Sequence, residues 1–318
     1  MDRIIVDTDT AGDDTQALAL ACLTDRLSVE AVTVVAGNVP FDREVENAKY
    51  TLSLVGVADL SVFEGARSPL LKEYEHAEEV HGAGGLGGDL HPETEIDSAP
   101  GFGPDVIAER CRESPGEISL LCIGPLTNLA LAHAREPDLP DLVDEVWVMG
   151  GNVNCAGNVT PAAEFNFWVD PDAAKRVIAD LDVTLVDWGV CLRDGCFGPE
   201  EFERVTASDT AYADFFRTIT TKIREVMEER SGMSGTAQPD SVTAAVAAHP
   251  DIVESSDTYY VDVDAREGMT RGYSLVDETG VTGNPGRTEV VESVDADAFL
   301  ASFEGLLAEG DPDAPLAE

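Results

Sequence analysis

Bases are what this 318-residue chain has least of. Against 62 aspartates and glutamates stand 20 lysines and arginines, and only four of those are lysines (Lys49, Lys72, Lys175, Lys222). The formal net charge is -42. Nucleic acid and anionic membranes need a basic footprint on their partners, so neither is expected to bind. Cysteine is sparse too. Cys22, Cys111, Cys122, Cys155, Cys191 and Cys196 form no CxxC pair and no zinc-like spacing, so they read as reduced thiols, several of them filling the core. No apolar run reaches the length of a membrane span. The start, MDRIIVDTD, enters a strand-like run at once, without the charged-then-apolar pattern of a secretory signal. The expected location is the cytoplasm.

What is present is a well-filled interior. Hydrophobic residues make up 43% of the chain and recur between the acids, which argues against disorder. An acidic, lysine-poor surface over such a core resembles proteins of salt-accumulating halophiles, in which high salt relieves the repulsion. Strand-like and helix-like segments alternate through the first 190 residues, beginning with the run at Ile4 and a helix from Thr15. Strands are expected at 29–36, 60–63, 118–123, 146–149 and 183–186, with helices at 44–55, 106–111, from Leu126 and from Pro171. This alternation predicts an α/β fold: a single-domain, open, doubly wound, mostly parallel sheet of Rossmann-like type. Helices at 215–229 and 242–248 and edge strands at 258–263, 271–276 and 288–291 are expected to follow. Residues 1–308 make the domain, and the acidic, proline-containing stretch 309–318 is expected to be a frayed tail. The glycine-rich HGAGGLGG at 81–88 is a candidate lid.

The turn after the first strand carries Asp7, Asp9, Asp13 and Asp14, four acids within eight residues. Like charges this close need a neutralising partner, and a hard divalent cation with oxygen ligands is the simplest. Asn38, Thr127-Asn128, the Asn158 to Asn166 loop and Asp240 also fall at strand-to-helix junctions, which in a doubly wound sheet face one crevice. Each has a plainer reading: Asp13, Asp14 and Asp240 as helix caps, Asn38 as a turn residue, His81 as a loop histidine. Glu164 and Asn166 would point the same way on an extended segment.

In order along the chain, DTDTAGDD at 7–14, VAGN ending at Asn38, HGAGGL from His81, IGPLTNLA from Ile123, VMGG from Val148 and GNVTPAAEFNFWVDPDAA from Gly157 resemble the motifs of the calcium-dependent, inosine-uridine preferring nucleoside hydrolases. Thr10 and Ala11 stand where that family usually has proline and glycine. The resemblance implies hydrolysis of ribonucleosides to ribose and free base by a dimer or tetramer. It implies calcium held by Asp9, Asp14, the Thr127 carbonyl and Asp240, and ribose held by Asp13, Asn38, Asn158, Glu164 and Asn166. Asp9 would be the general base towards a calcium-held water. His81 and Trp168, with Trp188, are candidates for the base side. Purine-accepting relatives have a histidine just before the late metal-binding aspartate, whereas this chain has Gln238-Pro239-Asp240. Two other readings stand beside this one. IVDTDT at 5–10 also fits a haloacid-dehalogenase-type magnesium phosphatase with Asp7 as nucleophile, although no lysine stands at a convincing strand end. The missing histidine also motivates a non-catalytic calcium- or riboside-binding protein.

Overall fold

A computed structural model of the protein describes residues 1–87, 90–232 and 235–313, without the side chains of residues 230 and 231. Its strands are β1 (Asp2–Thr8), β2 (Leu27–Val34), β3 (Val62–Glu64), β4 (Ile118–Cys122), β5 (Val146–Met149), β6 (Thr184–Val186), β7 (Cys196–Phe197), β8 (Thr236–Ala237), β9 (Val253–Val263), β10 (Ser274–Asp277) and β11 (Thr288–Val294). Among the described residues nine of them form one sheet in the order β10-β9-β11-β6-β5-β4-β1-β2-β3, and β7 and β8 pair separately. From β3 to β11 neighbours run parallel, while β9 and β10 close one edge antiparallel, as expected of edge strands.

Alternation along β1 explains the layering. Ile4 and Val6 point into one apolar cluster, shared with the helices Asp14–Leu23 and Pro239–Ala248, and Ile5 points into a second on the other face, under Gly103–Glu113, Thr127–Arg135 and Pro171–Asp180. A strand buried on both faces reads as a continuous apolar run, which is why IIV is so plain in the sequence. The chain leaves β1 for β2 on one side and returns through β4 on the other. The strand order therefore reverses between β1 and β4, where open sheets of this kind bind ligands beyond their carboxyl ends.

Several expectations change. The region after β6 is richer in helix than the sequence suggested, with Trp188–Asp194, Pro199–Val205 and a long C-terminal helix, Ala296–Glu309. The tail is not frayed as far as residue 313. Asp313 accepts from Thr24 Oγ1 at 2.7 Å and from the Asp25 N–H at 2.6 Å, and lies 2.8 Å from His249 Nε2. The rest of the tail, 314–318, lies outside the described residues, as do 88 and 89 of the lid candidate. The described part of that candidate is anchored: Leu86 is fully buried, the Gly85 carbonyl accepts from the Gly12 N–H at 2.8 Å, and Asn47 Nδ2 donates to both Thr10 O and Gly84 O at 2.9 Å. It packs down on the aspartate turn. Among the described residues no helix is long and apolar enough to cross a membrane.

Candidate active site

Beyond the carboxyl ends of the strands lies a cavity of about 600 Å³. One side is polar, with Asp13, Asn38, Asn158, Glu164, Asn166 and Asp240. Facing them are Ile219, Ile223, Val226 and Met227 from the helix Ala211–Ser231, with Trp168, Trp188 and His81 alongside. Sequence-distant residues thus converge as the strand-end argument required. Asp9 and Asp14 stand one layer behind this surface, fully buried and joined to it through Asn38.

The four aspartates have separate partners. Asp7 accepts from Thr33 Oγ1 on β2 and from Asn128 Nδ2 at 2.7 Å, buried between strands. Both bonds fall on Oδ1, and its Oδ2 is buried without a partner, as one oxygen of Asp9 is; clasped between β2 and the helix after β4, Asp7 is placed as a structural carboxylate and not as the nucleophile that the phosphatase reading needs. Asp9 Oδ2 accepts from the Asn38 N–H at 2.9 Å, whereas its Oδ1 is buried without any partner. Asp14 accepts from Thr8 Oγ1 at 2.6 Å, the Ala11 N–H at 3.1 Å and Asn38 Nδ2 at 3.2 Å. Asp13 sits at the helix start but makes no capping bond with its side chain; its Oδ2 accepts from the Asp240 N–H at 3.0 Å. Asp240 likewise lies in the first turn of its helix, against Asp13. Asp13 thus caps the first turn of Pro239–Ala248 and not its own helix, and capping of their own helices does not explain these acids.

Burial raises them all. Asp7 and Asp14 are pushed up to about 7 and Asp13 to about 6, in each case by desolvation. Asp9 and Asp240 are held well above the usual carboxylate range by burial, then by the charges of their acidic neighbours. Among the described residues no three His, Cys, Asp or Glu side chains already form a compact metal-binding group. The acids are instead shared out among N–H and O–H donors. Even so, an orphaned, buried Asp9 oxygen and mutual repulsion among Asp9, Asp13, Asp14 and Asp240 are what a hard, oxygen-seeking cation would relieve. The donor set fits such an ion.

The remaining candidates fall out unevenly. Thr127 opens the helix after β4, and its hydroxyl donates to Asp170 Oδ2 at 2.7 Å. Three residues earlier, a Cβ on Gly124 would come within 2.8 Å of Asp9 Oδ1, so this junction does pass the cluster. Asn158 is exposed at the rim, its Oδ1 accepting from the Phe165 N–H at 2.9 Å. Glu164 and Asn166 are not on an extended segment. Glu164 is the N-cap of the helix Phe165–Val169 and accepts from the N–H groups of Gly151, Asn166 and Phe167, while Asn166 Nδ2 donates to Ile123 O and Met149 O. The cap turns the chain sharply, yet both residues still line the cavity. Burial pushes Glu164 up to about 7.

His81 ends the short helix Glu78–His81 with its ring against Gly12. Although partly exposed at the rim, the ring is enclosed enough that desolvation lowers it to about 4, which leaves it neutral. Trp168 has the Arg271 guanidinium 4.2 Å from its ring centroid. Gln238 is buried and turned back, its Nε2 donating to Thr236 Oγ1 at 3.0 Å and Ala237 O at 2.8 Å. Sequence reasoning missed Glu44 and the structural role of Asn128. Glu44 is a further buried carboxylate beside the cluster, and Asn128 clasps Asp7 and the end of β2. The signal for Glu44 was legible: it shares a helical face with Phe41, Val45, Ala48 and Leu52, where an acid is out of place.

A family model for inosine-uridine preferring nucleoside hydrolase matches residues 4–301. The chain is 33% identical over 312 residues to the pyrimidine-specific ribonucleoside hydrolase RihA of Photobacterium profundum, covering 96% of this chain and 97% of that one. The same-named protein of Shewanella woodyi is 32% identical, covering 93% and 95%. Among solved structures, the plant nucleoside hydrolase PpNRh1 superposes with a TM-score of 0.91 at 28% identity, covering 97% and 99%. A purine-preferring ribonucleoside hydrolase from Gardnerella vaginalis gives 0.89 at 26% identity, covering 99% and 100%.

Proposed function

The chain belongs to the inosine-uridine preferring nucleoside hydrolase family, whose reaction splits ribonucleosides into ribose and free base, and from that premise we propose how its own residues share the work. Calcium is held by Asp9, Asp14, Asp240 and the Thr127 carbonyl, and Asp9 is the general base. The observation that carries this is that Asp9, with its buried Oδ1 left without a partner, stands among the repelling carboxylates of Asp14, Asp13 and Asp240, whereas Asp7, which also has a partnerless oxygen, lies apart from them. Calcium, when bound, supplies the positive charge that keeps these carboxylates ionised and lowers the cost of deprotonating water.

An ionised Asp9 then takes a proton from the water that attacks the anomeric carbon. Asp13, Asn38, Asn158, Glu164 and Asn166 hold the ribose hydroxyls, and the negative charge around the sugar stabilises the oxocarbenium-like state of glycosidic cleavage. On the base side Trp168 and Trp188 offer flat apolar faces. His81, neutral above about pH 4, acts there as a hydrogen-bond partner, and the Gln238 amide has no proton to give.

The relatives' names divide between pyrimidine and purine nucleosides, so the test is a panel of uridine, cytidine, inosine, adenosine and guanosine in high salt. Ribose release should need calcium and stop with chelator. Release that survives chelation would sink the calcium assignment, and silence across the panel would sink the catalytic reading. The expected assembly is a dimer or tetramer. The exposed Met269, Tyr273, Leu275 and Val281, on or beside edge strand β10, support a contact between copies that sedimentation would check.

A further inference from the structure

We propose that Glu44 is a positioning residue for Asp9 and Asp14, acting through the turn that carries Asn38; the inference rests on the cation site proposed above. Glu44 is fully buried on the helix Phe41–Leu54. Its Oε1 accepts from the N–H of Gly37 at 2.9 Å and from the N–H of Val39 at 3.1 Å, the two residues on either side of Asn38. Pro40 is the N-cap, and Glu44, at the end of the first turn, reaches past it to the turn before the helix.

With both flanking N–H groups held, the Asn38 N–H meets Asp9 Oδ2 at 2.9 Å and its Nδ2 reaches Asp14 Oδ2 at 3.2 Å. One asparagine thus spaces the two carboxylates, and one glutamate holds that asparagine. The turn is pinned on its outer side as well. Tyr74 Oη donates to Val39 O at 2.6 Å, and the Ala77 N–H donates to Asn38 O at 2.7 Å. Glu44 does not line the cavity, and its Oε1 is taken up by the two N–H groups of the turn, so its part is to hold the turn and not the substrate. A residue that merely finished the helix would leave cation affinity alone, and this one should not.

The experiment compares Glu44→Gln with Glu44→Leu, reading kcat for nucleoside hydrolysis and, on chelator-treated protein without substrate, calcium affinity by titration calorimetry. Glutamine keeps an oxygen that can accept both N–H groups, whereas leucine keeps only the bulk. Glu44→Leu should lose roughly tenfold or more in kcat, the scale of a small misplacement of a reacting group, and bind calcium more weakly. Glu44→Gln should restore both to within about twofold. Wild-type kcat and calcium affinity in Glu44→Leu would overturn the proposal, as would equal damage in the two variants. Should Glu44→Leu fail to fold, Tyr74→Phe removes the hydroxyl that holds Val39 O and also interacts with the Glu44 carboxylate, loosening the Glu44-held turn while the Glu44 side chain stays. Weaker calcium binding in it supports the proposal, and unchanged binding overturns it. Because the titration needs no turnover, a protein that binds calcium in a Glu44-dependent way but releases no ribose would sink the proposed reaction and leave this inference standing.

Discussion

Asp9 is the group on which the proposed chemistry turns, and asparagine in its place keeps the shape while removing the base. Asp9→Asn should lower kcat by about 10²- to 10⁴-fold, the usual worth of a positioned general base, with a cooperative thermal transition retained. Full turnover would end the assignment. Asp240→Asn separates binding from folding. In chelator, one fewer charge among Asp9, Asp13 and Asp14 should raise Tm relative to the wild type, while the rise in Tm on adding calcium should shrink. Glu164 gives a pH dependence whose sign is set by burial. Its folded pKa, about 7, lies above the ordinary 4.5, so the stability it contributes is present below about pH 4.5 and lost as pH rises through 7. The Tm difference between wild type and Glu164→Gln should therefore favour the wild type more at pH 5 than at pH 8. At this scale the sequence identified the acids and their meeting place, because charge repulsion and strand-end position are both readable from residue type. It did not divide their labour. That Asp7 is clasped by Asn128 from the helix after β4, and that Glu164 caps a turn, depends on contacts more than a hundred residues apart or on local geometry that periodicity does not carry.

At the scale of elements, the site exists because three strand ends approach more closely than side chains ordinarily permit. A Cβ on Gly37, just beyond β2, would overlap the Asp9 carboxylate at the end of β1, and one on Gly124, beyond β4, would crowd its other oxygen. Gly37→Ala should accordingly abolish calcium binding and hydrolysis together. Gly198→Ala, whose methyl meets only the tip of the Glu201 side chain, should leave both unchanged. Equal activity in the two variants would show that the close approach is unnecessary. The same strands explain what was legible in the fold. The strands β1, β4 and β5 are buried apolar runs bounded by glycine, proline or acids, so their type and order could be read directly. The helices after β6 were missed because their signals are short or disguised. Trp188–Asp194 and Pro199–Val205 each span only seven residues, and the start of Ala296–Glu309 is announced by an Asp295 cap inside an already acidic stretch.

For the whole molecule, the decisive quantity is the excess of acid. All four lysines are in ion pairs, Lys49 with Glu46, Lys72 with Asp172 and Glu267, Lys175 with Asp262 and Lys222 with Glu225, and pairing still leaves a formal charge of -42. Salt acts on both populations. It weakens exposed pairs, but such pairs are worth only about 0–1 kcal/mol each, so little is lost. It also screens the unpaired acids, whose repulsion adds over the whole surface and opposes compactness. The screening length falls from about 10 Å at 0.1 M to about 3 Å at 1 M. Repulsion should win this comparison, so Tm should climb as KCl is raised from about 0.1 to about 2 M. Substituting Asp or Glu by Asn or Gln at several exposed, unpaired positions should flatten that climb by raising the low-salt Tm. Sucrose, which is uncharged, should not reproduce the difference between the two proteins. A Tm that is flat or falling with KCl would show that the retained ion pairs, and not the excess charge, govern the stability of the chain.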